Sequence, residues 1–356
     1  MDFQRRLHEC FTSPRPSLDL LRELLATEDS HQLEQLFAFA NDVRKHEVGD
    51  GIFLRGIIEF SSHCRNRCAY CGLNSDNKTL ARYRLSHEEL LAAVDHVVDN
   101  RIRTIVLQSG EEDDLDPDWL ATAIRNIKAK HDIAITLSVG ERSRHEYNLW
   151  RQAGADRYLL KIETSDPRLY EALHSGMDWH RRDECAGHLK GLGYQVGSGV
   201  IVGLPGQTSE TLAGDLLYFS ERQFDMIGIG PFIPHCETVL KNDRPGTVLA
   251  TLKMVALTRI ITKNAHLPAT TALGSIEGGD HRIKALKAGA NVLMPNFTPQ
   301  PYRKMYEIYP NKRCIDEPVG ACGFCMEGMA NSIGRFIDYA KGDAWRLPLS
   351  QLGPWL

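Results

Sequence analysis

Three cysteines lie close together in the segment Cys64-Arg-Asn-Arg-Cys68-Ala-Tyr-Cys71, spaced CxxxCxxC. Thiolate sulfur is a soft ligand suited to iron–sulfur clusters or zinc. Three thiolates on one tight loop can hold three irons of a 4Fe–4S cube and leave the fourth iron open to a chelating molecule. A closed structural zinc site wants a fourth ligand nearby. His63 is the local candidate, and its adjacency to Cys64 makes joint ligation awkward. Arg65 and Arg67 would favour thiolates and an anionic cluster. A second set, Cys314, Cys322 and Cys325, lies near the other end of the chain. It suits a second cluster, 2Fe–2S or 4Fe–4S, with zinc or free thiols as the alternatives. Cys10, Cys185 and Cys236 are isolated.

Elements that would position such a loop can be read from the apolar pattern. Short β-like runs fall at 52–59, 103–108, 133–138, 156–162, 194–202, 226–230, 268–272 and 291–294. Helical stretches alternate with them at 86–100, 117–130, 144–153, 181–192, 209–223, 248–263 and 280–288, after two amphipathic helices within 17–45. Ser86 with Glu89 reads as a capping box, and Pro117 suits a first helical turn. Alternating units with buried-type strands predict an α/β fold with a parallel sheet, and eight of them predict a (β/α)8 TIM-type barrel whose functional residues gather at the carboxyl ends of the strands. The expected organisation is an N-terminal helical extension over 1–47, the barrel over 48–295 and a C-terminal extension over 296–356. The net charge of −4 gives no basic bias toward nucleic acid. No apolar run reaches the ~20 residues of a membrane span, and no signal-peptide core is present. The expectation is a cytoplasmic protein with neither nucleic acid nor membrane as partner, in a reducing compartment where clustered cysteines bind metal before they form disulfides.

With Tyr70 before its last cysteine, CxxxCxxC resembles the hallmark of the radical S-adenosylmethionine (SAM) superfamily. The resemblance implies a 4Fe–4S cluster on Cys64, Cys68 and Cys71 whose free iron binds SAM, and reductive cleavage of SAM to a 5′-deoxyadenosyl radical. It also implies a SAM pocket formed by Tyr70, Gly110, Glu111, Ser138, Glu163, Arg182, Gly199 and Gly203, with Arg182 on the SAM carboxylate. Stretches such as GADRYLL, GLPGQT, DMIGIGPFIPH and LPATTALGS are similar to the HydE family of FeFe-hydrogenase maturases over about residues 48–325. This second resemblance implies a small iron–cyanide–carbonyl–cysteine substrate, HydF and HydG as partners, an electron donor, and the second cluster found in some members. Arg55, Arg157, Thr270, Thr271 and Tyr306 are the expected substrate residues. Where the family commonly reads Arg-His-Glu, this chain has Lys161-Ile162-Glu163. Lysine cannot replace the planar fork of arginine. That departure keeps a related mutase or sulfur-transfer enzyme, like methylornithine synthase or biotin synthase, as an alternative. A non-enzymatic iron–sulfur carrier is the third reading.

Overall fold

Apolar, β-branched runs bounded by turn residues become the strands of a parallel sheet, and the amphipathic stretches between them become its covering helices. The computed structural model describes residues 2–313, 315–316 and 322–344, without the side chains of 322–324. Its strands are β1 (Gly51–Leu54), β2 (Gly56–Ser61), β3 (Arg67–Cys68), β4 (Thr104–Ser109), β5 (Ala134–Ser138), β6 (Arg157–Leu159), β7 (His174–Ser175), β8 (Gln195–Val202), β9 (Met226–Pro231), β10 (Val292–Leu293) and β11 (Phe336–Asp338). Six of them form a sheet in the order β2-β4-β5-β6-β8-β9, parallel at every step. A second sheet, β10-β1-β11, is also parallel. Single bridges continue the pairing from Met226 to His266, from Pro268 to Val292 and from Asn296 to Ile57.

The helices are α1 (Phe3–Thr12), α2 (Leu18–Ala26), α3 (Ser30–Val48), α4 (His87–Asp99), α5 (Pro117–Lys130), α6 (Arg144–Ala153), α7 (Pro167–Leu173), α8 (Trp179–Gly191), α9 (Ser209–Arg222), α10 (Val248–Thr262), α11 (Thr271–Ser275), α12 (Arg282–Lys287), α13 (Gln300–Arg303) and α14 (Cys322–Asn331). Their boundaries have local causes. Ser86 and Glu89 close the expected capping box on α4, and Pro117 opens α5 behind the Asp116 cap. Gly154, at φ 116°, ends α6 in the left-handed region. Helices α1 to α3 pack on α9 and α10. No described helix is long and apolar enough to cross a membrane.

Three expected elements change. The run 52–59 divides at Arg55 into β1 and β2. The run 156–162 pairs only as far as Leu159, and the ladder returns as one bridge at Glu163. The run 268–272 is not a strand: Pro268 has no N–H for a ladder, and Thr270 stands at the start of α11. Thr271 is therefore helical rather than extended.

Described residues after 296 reach both ends of the sheet. Residues 298–313 run over the carboxyl ends, where Gln108 Nε2 donates to Tyr306 Oη at 3.2 Å. Strand β11 then pairs with β1, and 341–344 cross the amino ends. There Thr104 Oγ1 donates to the Lys341 carbonyl at 2.7 Å and Gln195 Nε2 to Asp343 at 2.9 Å.

Candidate active site

Cys64, Cys68 and Cys71 lie on the loop leaving the carboxyl end of β2, each half-buried and free of disulfide. The loop is tied on several sides. Strand β3 pairs antiparallel with β7, setting Cys68 against His174, and Ala69 N donates to the Leu173 carbonyl at 2.8 Å. Arg65 N donates to the Glu111 carbonyl at 2.8 Å, and Gly72 N to the Ile308 carbonyl at 3.0 Å. Arg82 donates to the carbonyls of Ser62, Leu73 and Asn74 and so gathers the loop's two ends. Gly110 is obligatory here: a Cβ would lie 2.3 Å from the His63 carbonyl oxygen and 2.7 Å from Cys64 Cβ.

Burial pushes all three thiols up, Cys71 to about 12 and Cys68 well above the ordinary thiol value. The thiols are therefore neutral until a metal centre displaces their protons. Among the described residues no three His, Cys, Asp or Glu side chains converge tightly enough to hold a single metal ion. A cluster makes no such demand, because each thiolate holds its own iron. Three soft donors on one loop, with no fourth cysteine beside them in the segment, fit a 4Fe–4S cluster with one open iron.

A buried charge network adjoins the loop. Arg182, on α8, is 3.6 Å from Glu111 Oε2 and 3.3 Å from Glu141 Oε1, and its Nε donates to Tyr170 Oη at 3.2 Å. Arg65 donates to Glu111 Oε1 at 2.8 and 3.2 Å, while Glu111 Oε2 accepts the Glu141 N–H at 2.8 Å. Burial raises Glu111, but Arg182 and Arg65 outweigh it and leave this carboxyl below its ordinary value. At Glu141 burial prevails over Arg182 and the value is raised. Arg182 and Glu163 both act electrostatically on Cys68. Glu163 sits at φ 63°, an unusual backbone for a non-glycine residue, and its Oε2 accepts from Lys161 Nζ at 2.7 Å. Lys161 crosses Gly199, where a Cβ would lie 2.8 Å from Lys161 Cε and 2.0 Å from the Gly228 carbonyl oxygen. Gly203 has φ +90° and backs onto Gly246.

The expected residues thus divide. Tyr70 lies within the cysteine loop, Gly110, Glu111, Glu163 and Arg182 adjoin it, and Tyr306 lies two residues before Ile308, whose carbonyl accepts from Gly72. Ser138 ends β5 beside Gln108, and Thr270 lies near Gly230 on β9. Arg55 and Arg157 stand at the opposite, amino-terminal end of the strands. Arg157 is ion-paired to Asp343 at 2.7 Å, and Arg55 is aimed at the Met226 sulfur. They line a cavity of about 10 Å³ with Gln195 and Asp225, room for one water at most. As packed it admits no organometallic ligand. Cys314 lies outside the described residues, as does the Cys322 side chain; Cys325 is exposed on α14. Sequence reading missed Glu141, Tyr170 and His174. It also missed the buried Glu59–Lys312 ion pair. A charged residue inside an apolar strand was the available signal for Glu59; the other three carry none.

The family model for the radical SAM superfamily matches residues 58–218. The HydE subunit of the [FeFe] hydrogenase maturase from Thermotoga maritima is 47% identical over 317 residues, 89% of this chain and 90% of that protein. The 3-methylornithine synthase of Methanosarcina acetivorans is 32% identical over 277 residues, 77% of this chain and 78% of that one. The crystal structure of a methylornithine synthase, PylB, superposes with a TM-score of 0.83 at 26% identity, covering 94% of this chain and 97% of the other.

Proposed function

The chain belongs to the HydE family of radical SAM hydrogenase maturases, and on that premise we propose that it helps build the diiron subcluster of FeFe-hydrogenase from a small iron–cyanide–carbonyl–cysteine substrate. Cys64, Cys68 and Cys71 would hold the 4Fe–4S cluster. When bound, the cluster supplies the electron for reductive cleavage of SAM. The observation that carries this reading is the cysteine loop at the carboxyl end of β2, tied through Arg65 to Glu111, the same buried carboxylate that Arg182 faces. SAM carries a carboxylate and an amino group, so its pocket needs a cation and an anion beside the open iron. Arg182 would meet the carboxylate. Glu163 would orient the polar groups of the methionine or ribose, and Tyr70, Gly110, Glu111, Ser138, Gly199 and Gly203 complete the pocket. Thr270, Thr271 and Tyr306 would face the substrate; Arg55 and Arg157 would reach it only if the amino-terminal end of the cavity opens.

The continuous pairing through His266, Pro268, Val292 and Asn296 supports a closed (β/α)8 TIM-type barrel. Residues 1–47 would form its helical extension, 48–295 the barrel and 296–356 the C-terminal extension. Cys314, Cys322 and Cys325 would bind a second cluster, 2Fe–2S or 4Fe–4S. The enzyme would work in the cytoplasm with HydF, HydG and an electron donor. Lys161, held by Glu163, marks the point where substrate handling differs from relatives with arginine.

Two triple variants test the assignment. Replacing Cys64, Cys68 and Cys71 with Ala should abolish 5′-deoxyadenosine formation by anaerobically reconstituted protein. Replacing Cys314, Cys322 and Cys325 with Ser should lower bound iron and leave most of that activity. Undiminished product from the first variant overturns the cluster assignment. Failure of the wild-type protein to restore hydrogenase maturation in a system lacking HydE overturns the pathway.

A further inference from the structure

His174 begins β7, fully buried, opposite Cys68. Its Nδ1 is 2.7 Å from the Tyr170 carbonyl oxygen. A carbonyl only accepts, so Nδ1 carries the proton and Nε2 is left as an acceptor. Tyr70 Oη is 2.8 Å from Nε2 and is therefore the donor. The imidazole stacks on the Tyr170 ring at 4.0 Å and 21°, and meets the Tyr70 ring edge-on at 5.3 Å and 79°. Tyr170 Oη in turn accepts from Arg182 Nε at 3.2 Å. A continuous line thus runs from the residue before the third cysteine, through one neutral imidazole and one phenol, to the buried cation of the candidate SAM pocket.

We propose that His174 is a positioning residue, which holds Tyr70, and with it the backbone between Cys68 and Cys71, in fixed register with Arg182. Only the tautomer with a proton on Nδ1 serves, because Nε2 must stay free to accept. The ring acts through Tyr70 and Tyr170, joining the two halves of the pocket that a bound SAM has to bridge. The inference rests on the radical SAM reading above.

The test measures SAM affinity by calorimetry on reconstituted protein, together with iron content and the change that SAM induces in the electron paramagnetic resonance spectrum of the reduced cluster. His174→Asn keeps a donor for the Tyr170 carbonyl and removes the acceptor for Tyr70. It should weaken SAM binding about fivefold to tenfold, as expected for an orphaned buried hydroxyl, with iron content unchanged. His174→Gln can place a carbonyl oxygen near Nε2 and should stay within about twofold of wild type. Tyr70→Phe removes the donor instead. In its background the Asn substitution should add almost nothing, because the bond is already gone. Wild-type affinity and an unchanged SAM-induced spectrum in His174→Asn would overturn the proposal. So would losses that simply multiply in the double variant. If His174→Asn does not fold, the contrast between Tyr70→Phe and His174→Gln decides: a Gln variant that binds SAM more weakly than Tyr70→Phe also overturns it. Absence of SAM binding in the wild-type protein is a separate result, and it would refute the underlying radical SAM reading.

Discussion

Arg182 has two tasks that are hard to separate. It lies between two buried carboxyls, Glu111 and Glu141, and so stabilises the fold before any ligand arrives. A ligand carboxylate reaching it competes with groups already there. This is workable because the three acceptors need not share one edge of the guanidinium: Nε serves Tyr170 and Glu141, while Nη1 faces Glu111 more loosely. Arg182→Ala should weaken SAM binding at least tenfold, since a charged hydrogen bond typically contributes ~1.5–3 kcal/mol. It should also lower unfolding stability by about 1–3 kcal/mol, because two buried carboxylates lose a shared counter-ion while Glu111 keeps Arg65 and Glu141 keeps Arg181. Arg182→Lys should recover stability better than affinity, a point charge replacing a fork. Calorimetry and urea unfolding on the same samples check both. Unchanged SAM affinity would make Arg182 purely structural.

At the scale of elements, the turn after β6 is the place where backbone strain and function meet. Glu163 has positive φ, and the turn that follows is held by Asp215 on α9: Ser165 N donates to Asp215 Oδ1 at 2.5 Å. Burial raises the Asp215 carboxyl to about 7. Its unfolded value is about 3.8, so the folded state retains a proton that the unfolded state has lost between these two values. The resulting stabilisation is present below about pH 3.8 and is lost as pH rises through about 7. Asp215→Asn has no such proton, and its stability relative to wild type should rise by ~1 kcal/mol per pH unit across that window. Urea midpoints at pH 5, 6 and 7 measure it; parallel pH profiles would show that Asp215 is not the titrating group. This element also shows what a sequence discloses. The cysteine loop was legible because three like ligands at fixed spacing have few other uses, and α4 and α5 because their caps are local. Strands β4, β5, β8 and β9 were legible from continuous apolar runs. The pairing of β3 with β7 was not, since two-residue strands carry no period. Nor was the pairing of β11 with β1, made by chain ends far apart in sequence. Arg157 falls on the expected strand and Arg55 at the break in the expected run 52–59; that both stand at the amino ends was not legible, because a strand's inward positions look alike at either end of a sheet.

Across the whole molecule, described residues after 296 reach both ends of the sheet, and a buried ion pair is one of the contacts that attach them at the carboxyl end. Lys312 Nζ bonds Glu59 Oε1, and both side chains are almost fully buried. Glu59 Oε2 also accepts from Asn296 Nδ2 at 3.0 Å and Thr298 Oγ1 at 3.3 Å, so the carboxylate's other oxygen fixes the start of the same segment. The Lys312 ammonium lies 5.1 Å from the centre of the Tyr306 ring, whose hydroxyl accepts from Gln108. Glu59 therefore anchors the segment at two places and fixes Tyr306 between them. Such a pair adds little net stability over an apolar replacement, because removing both charges from water offsets their attraction. Breaking it from one side is costly. Lys312→Met should lose about 3–5 kcal/mol of unfolding stability, since Glu59 remains buried and charged. Adding Glu59→Gln should restore most of that loss, because the amide oxygen can still accept from Asn296 or Thr298 and no charge is stranded. The double variant should also recover the native position of Tyr306 and bind SAM like wild type, as the ion-pair and hydrogen-bond partners of Arg182 are Glu111, Glu141 and Tyr170. Urea unfolding of the two single variants and the double variant gives the coupling energy directly. Additive losses would mean that Glu59 and Lys312 stabilise the protein independently, and that the cover over the carboxyl ends is held by its backbone contacts alone.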